Sequence, residues 1–157
     1  MRNTQISHDE LLRLFSYNEK TGVFTNRETG KPLWKSYKNY YRRITINGVS
    51  YAEHRLAWFY VFGKWPGELD HIDRVKYHNS IDNLREATGS QNMANMGLRL
   101  DNRTGIKGVD LHRGKFRAQI RRGGRKITLG SYPTPEEASR IYQAACIDLH
   151  GEFAAFS

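Results

Sequence analysis

Between residues 70 and 92 the chain gathers Asp70-His71, Asn79, Asn83-Leu84-Arg85 and Asn92. A carboxylate, an imidazole and several carboxamides within one short window are groups suited to phosphodiester hydrolysis. That reaction needs an activated water, charge stabilisation on the phosphate and help for the leaving oxygen. A base takes the proton from water, and a bound cation can supply most of the remainder. A turn-rich polar loop would account for the same residues without chemistry. On a strand, neighbouring side chains point to opposite faces, so Asp70 and His71 need a kink or bulge to serve one site.

The flanking sequence reads as elements able to hold such a site. Ser7 as N-cap with Glu10 three residues later forms a capping box, and Leu11, Leu12 and Phe15 give the helix an apolar stripe. Strands are expected at Val23-Phe24-Thr25 and from Tyr40 to Ile46, with Asn47-Gly48 as a type I′ hairpin turn. Residues 54–62 (HRLAWFYVF) read as a packed helix stopped by Gly63 and Pro66. The first 66 residues thus form a small sheet and helix supporting the motif. Ser90 serves as N-cap of a further helix, with Asn92 in its first turn.

Gly97 to Gly105 is polar and aperiodic, which marks a boundary. Beyond it, Ile106 to Tyr132 alternates like strands punctuated by Gly114, Gly123-Gly124 and Gly130. Thr134 caps a helix with Pro135 at its first position, and Ala138, Tyr142, Ala145 and Leu149 recur at helical spacing. Arg117, Gln119 and Arg121 share one strand face, and Phe116, Ala118 and Ile120 the other. Lys126 and Thr128 alternate in the same way with inward Ile127 and Leu129.

A formal net charge of +9 points to a polyanionic partner. Residues 99–126 hold ten Lys/Arg against only Asp101 and Asp110, a run that favours contact with a phosphate backbone. Cys146 is the only cysteine, which excludes intrachain disulfides and cysteine-based zinc sites. No apolar run is long enough for a membrane span and no signal-peptide pattern opens the chain, so a cytoplasmic protein without membrane association is expected.

Asp70-His71, the polar loop, Asn83-Leu84-Arg85 and Asn92 together resemble the HNH nuclease motif, a strand pair and helix folded around one divalent cation. The resemblance implies that Asp70 and Asn92 bind the metal, that His71 is the general base at a strand end, and that Asn83 ties down the loop and orients His71. His54, in the upstream His54-Arg55-Leu56, would be an accessory phosphate-binding or structural group. One carboxylate and one amide oxygen, completed by waters and phosphate oxygens, suit Mg²⁺ or Mn²⁺, and structural zinc is not expected. Arg74 and His78 depart from the usual loop sequence, and His78 is either a second titrating group or loop surface.

Residues 103–156, from Gly105-Ile106-Lys107-Gly108-Val109 through Leu129-Gly130-Ser131-Tyr132, resemble the plant ethylene-response-factor (Apetala-type) DNA-binding domain. Lys107, Arg113, Lys115, Arg117, Gln119, Arg121, Lys126 and Thr128 would then meet DNA. A sheet presenting Arg and Gln fits the major groove, where Arg reads guanine and Gln reads adenine. Asp110 and Thr128 replace the family's usual Arg and Trp, so its target sequence does not carry over.

The expected architecture is α+β. An HNH domain over 1–97, with a small N-terminal sheet and a ββα-metal core near 66–97, precedes a three-stranded antiparallel sheet on one helix over 103–157. The expected function is metal-dependent cleavage of double-stranded DNA by a phage HNH endonuclease of homing type, with no obligatory protein partner. The alternative is a DNA-binding regulator with an inactive nuclease fold.

Overall fold

The computed structural model describes residues 5–33 and 40–156. It divides into two compact units, one running to Glu86 and one from Ala87.

In the first unit, helix α1 (His8–Leu14) opens on Ser7, whose hydroxyl accepts from the Glu10 amide at 3.2 Å. The Glu10 carboxylate accepts from the Asn47 side chain at 3.1 Å, which ties the helix to a distant hairpin. Phe15, expected in the helical stripe, instead opens strand β1 (Phe15–Asn18), which pairs antiparallel with β2 (Val23–Asn26). The backbone turns extended at Phe15 because its ring then packs edge-on to Phe24, 6.5 Å between centroids, inside the core.

Strands β3 (Arg43–Ile46) and β4 (Val49–Ala52) form the second hairpin. Asn47 and Gly48 sit at φ 49° and 79°, the type I′ geometry expected of that pair. The strand expected from Tyr40 begins only at Arg43, and Trp34 to Asn39 lie outside the described residues. Among the described residues the single N-terminal sheet expected from sequence is two separate two-stranded hairpins.

Helix α2 (Glu53–Phe62) ends at Gly63 in the left-handed region, as expected. It sends Leu56, Ala57 and Phe59 into a core with Leu11, Phe24, Ile44 and Ile46. Glu53 and His54, at its start, are buried as well. Strand β5 (Glu68–His71), a 3-10 turn (Ile81–Asn83) and strand β6 (Leu84–Ala87) complete this part of the chain, and β5 and β6 form a two-stranded sheet.

The second unit begins with helix α3 (Gly89–Asn95). Its N-cap is Thr88, not Ser90. The Thr88 hydroxyl accepts from the Gln91 amide at 3.3 Å while the Gln91 side chain accepts from the Thr88 amide at 2.8 Å. That reciprocal box satisfies two terminal amides at once, which Ser90 cannot do from inside the first turn.

Strands β7 (Val109–His112), β8 (Lys115–Arg122) and β9 (Arg125–Tyr132) follow in that order as an antiparallel sheet. Helix α4 (Pro135–His150) is capped by Thr134, and its Ala138, Tyr142 and Cys146 pack with Val109, Ala118 and Ile120 of the sheet. Ile127, expected inward, is 41% exposed. The register shifts between Ala118 and Gln119, and the helix covers Leu129 and Tyr132 of the edge strand instead. Among the described residues no helix is long and apolar enough to cross a membrane.

Gly108 (φ +74°) is where this packing is least forgiving, because a Cβ there would lie 2.1 Å from the Tyr142 ring. Gly114 has a similar φ of +76° but nothing within 4 Å. Gly114→Ala should therefore cost about 1–2 kcal/mol of backbone strain. Gly108→Ala should cost roughly a further 1–3 kcal/mol of overpacking. Denaturant unfolding followed by circular dichroism checks the order of the two.

Candidate active site

Strand β5 delivers Asp70 and His71 side by side, both buried, and ends there. The Arg74 amide bonds the His71 carbonyl at 2.9 Å, turning the chain just after the pair. The Asp70 Oδ2 accepts from Arg85 of β6 through Nε at 3.0 Å and Nη2 at 2.9 Å. The charged fork thus fixes the carboxylate from the neighbouring strand.

The His71 imidazole is held by a buried chain. Its Nε2 lies 2.9 Å from Asn79 Oδ1, and the Asn79 amide donates to Glu53 Oε2, also at 2.9 Å. Because the Asn79 nitrogen is spent on a carboxylate, its oxygen faces His71 and must accept. His71 therefore carries its proton on Nε2, and Nδ1 holds the lone pair. Burial, only partly offset by the Asn79 bond and by Asp73 and Asp70, keeps His71 below the usual imidazole range. Burial thus favours the uncharged form of the ring.

Asn79 is itself only 1% exposed. The Tyr17 phenol donates to its carbonyl at 2.6 Å. Gly22 of the β1–β2 turn approaches so closely that a Cβ there would lie 2.3 Å from the Asn79 carbonyl carbon. Asn79 lies in the sequence motif, which assigns it no role, and Glu53 lies outside the motif residues. Their signal was a carboxylate directly before His54 and a second Asn ahead of Asn83.

The Asn83 side chain bonds within the loop, and a side-chain bond to His71 comes from Asn79 instead. Its amide donates to Asp73 Oδ1 at 2.9 Å and to the His78 carbonyl at 2.7 Å, and its oxygen accepts from the Asp73 amide at 3.1 Å. His78 belongs to the same clamp, with Nδ1 at 2.5 Å from Asp73 Oδ2 and Nε2 at 3.2 Å from the Ser80 hydroxyl. Burial opposes ionisation of Asp73, but the bonds from His78, Val75 and Asn83 outweigh it and hold its carboxyl below the usual range.

Asp70 and Asn92, the ligands that the motif implies for a hard cation, fall in different units, Asp70 in the first and Asn92 in the second. Asn92 lies on α3, its backbone within the helix between Thr88 and Met96. Among the described residues no group of three or more His, Cys, Asp or Glu could hold a metal. Cys146 is buried in the other core. Carboxylate and carboxamide oxygens are the donor type Mg²⁺ or Mn²⁺ takes, whereas zinc prefers nitrogen and sulfur.

In the second unit Asp110 grips Arg117 through two bonds, Nε to Oδ1 at 3.0 Å and Nη2 to Oδ2 at 2.7 Å. Gln119 donates to the Thr128 hydroxyl at 3.3 Å, and Arg121 pairs in register with Lys126. Arg113 and Lys115 are exposed at the β7–β8 turn. Lys107 does not stand with them. Its ammonium donates to the carbonyls of Ala94 and Met96 at the end of α3, where the helix leaves acceptors without amide partners.

His54 packs edge to face against His71, with ring centroids 5.2 Å apart, and against the Tyr41 ring at 5.0 Å between centroids. Burial above all, then the proximity of His71, pulls His54 down to about 3, and its Nδ1 is buried without a hydrogen-bond partner. The unfolded chain binds a proton at this residue below about pH 6.5 and the folded chain does not until about pH 3. The group thus removes stability as the pH falls through that window. His54→Gln should reduce the acid-induced loss between pH 6.5 and 3 by about 3–5 kcal/mol, measured by urea unfolding of both proteins across the window.

Residues 51–94, the stretch containing Glu53, His54, Asp70, His71, Asn79, Asn83, Arg85 and Asn92, match the HNH endonuclease family model. The chain is 33% identical over 105 residues to the uncharacterized HNH endonuclease L560 of Acanthamoeba polyphaga mimivirus, covering 65% of this chain and 54% of that protein. It therefore spans about half the length of that relative. It is 30% identical over 126 residues to Protein 3.8 of Escherichia phage T7, covering 78% of this chain and 98% of that protein. No solved structure matches. The polar centre thus lies inside a stretch similar to the HNH endonuclease family, and both relatives are viral proteins.

Proposed function

We propose that the protein is a metal-dependent DNA endonuclease of the phage homing type, and that His71 is its general base. The observation that carries this reading is the bond from His71 Nε2 to Asn79, which leaves Nδ1 as the basic nitrogen of a neutral ring. His71 takes a proton from water at Nδ1 and keeps its Nε2 proton on Asn79. Arg85 holds the Asp70 carboxylate in place while Asn83 closes the loop that follows. Held by Asp70, with waters and phosphate oxygens completing its shell, Mg²⁺ or Mn²⁺ would stabilise charge on the phosphate and on the leaving oxygen. An inert regulator would have no use for a buried, oriented, neutral histidine, so the enzyme reading is favoured.

The second unit supplies the grip in this account. Residues 103–157 act as an Apetala-type DNA-binding domain, beside a nuclease domain over 1–97. Arg113, Lys115, Arg121 and Lys126 meet phosphates, and Gln119 and Thr128 lie on the same strands within reach of base edges. Arg117 reaches a base only by exchanging Asp110 for it. Lys107, engaged with α3, supports this surface from within. Double-stranded DNA in the host cytoplasm is the substrate.

His71→Ala should lower nicking or linearisation of supercoiled plasmid at least about a hundredfold with DNA affinity nearly unchanged. Asp70→Ala should do comparable harm, and EDTA should abolish cleavage by the parent protein. Wild-type rates from His71→Ala would remove the assignment. For the grip, Lys126→Ala or Arg121→Ala should weaken binding across sequences and flatten the salt slope by about one unit each, whereas Lys107→Ala should leave the slope intact. Fluorescence-anisotropy titrations from 50 to 200 mM salt, the range over which phosphate contacts are most visible, give both slopes.

A further inference from the structure

Glu53 is the one fully buried carboxylate among the described residues, at 0% exposure. Burial pushes it up to about 7, against the opposing influence of Arg42 and of the Asn79 bond. The Arg42 Nε stands 4.0 Å from Oε2, and Oε1 is buried without a hydrogen-bond partner. A glutamine would fill the same space without the burial cost, so the fold itself does not require an acid here. The reason lies in direction. A carboxylate can only accept, so it commits the Asn79 nitrogen to itself and the Asn79 oxygen to His71. A carboxamide at residue 53 could donate instead, turn the Asn79 amide around and present N–H to the imidazole.

We propose that Glu53 is a positioning residue for cleavage: through the Asn79 carboxamide it sets the His71 tautomer with the proton on Nε2 and the lone pair on Nδ1. The inference rests on His71 being the base, and it names the group that makes it one. The chain also polarises in the needed sense. As Nδ1 gains the proton of water, positive charge grows on the imidazole, and the Asn79 oxygen, backed by Glu53, stabilises it. A proton on Glu53 would reside on Oε1 and leave Oε2 accepting from Asn79, so the direction persists in either state.

Glu53→Gln is the test, because it is isosteric and removes a buried acid, so the variant should melt no lower than the parent. Long-range proton–nitrogen NMR of the side chains, with the His71 signals assigned by their loss in His71→Gln, reads the tautomer directly. The parent should show His71 protonated on Nε2. Glu53→Gln should show a mixture including the Nδ1 form, with kcat on plasmid lowered about 10- to 100-fold and KM unchanged. Asn79→Ala, which removes the middle link, should give the same two changes. An unchanged tautomer in Glu53→Gln, or an unchanged kcat despite a shifted one, overturns the proposal. Failure of the base assignment is told apart by His71→Ala, which would then still cleave while the tautomer shift in Glu53→Gln persisted.

Discussion

An imidazole works as a base only when one nitrogen is protonated and pinned and the other is left with its lone pair. In this protein that condition reduces to one buried chain, His71 to Asn79 to Glu53, with both bonds at 2.9 Å. Each link is costly alone. Asn79 exposes almost none of its polar surface and Glu53 none, so breaking either bond leaves an unsatisfied group out of reach of water. The expense explains why so much of the first unit converges on a single asparagine.

The convergence comes from separate segments. Helix α2 supplies Glu53 at its first position, strand β1 supplies the Tyr17 phenol, and the turn after β1 supplies Gly22. A further backbone bond, from the Ile81 amide to the Glu19 carbonyl at 3.0 Å, joins the same turn to the chain after Asn79. The aromatic core of Phe15, Phe24, Tyr17 and Tyr60 holds the hairpin rigid. The N-terminal residues are thus an outer support that fixes the His71 ring, and the loop clamp of Asp73, His78 and Asn83 ties the chain that follows.

How much of this was legible depended on whether the signal was local. The type I′ turn at Asn47-Gly48, the stop at Gly63 and the Thr134-Pro135 helix start were readable because a few adjacent residues decide them. The alternation of β8 gave its inner face correctly, with Ala118 and Ile120 in the core. Ile127 escaped the same rule because its burial depends on where α4 lies over the edge strand, which alternation does not encode. Thr88 outcompeted Ser90 through Gln91, a reciprocal bond visible only when both candidate caps are compared. The window from Asp70 to Asn92, which lies inside the stretch that matches the HNH endonuclease model, was legible as a pattern of residue types. Glu53 was not, since nothing in its neighbours says that a carboxylate at a helix start will be buried 26 residues away from the asparagine it holds.

The central claim is that a neutral, buried His71 takes the proton from water. The most direct measurement is the single-turnover rate of plasmid cleavage as a function of pH, at saturating Mg²⁺, across roughly pH 5 to 8, the range in which histidine titrates. The account requires a flat rate at neutral pH and a fall of about tenfold per unit below a midpoint lower than the ordinary imidazole value, because burial depresses His71. A rate still climbing in proportion to hydroxide through neutral pH, with no break that His71→Ala removes, would contradict it.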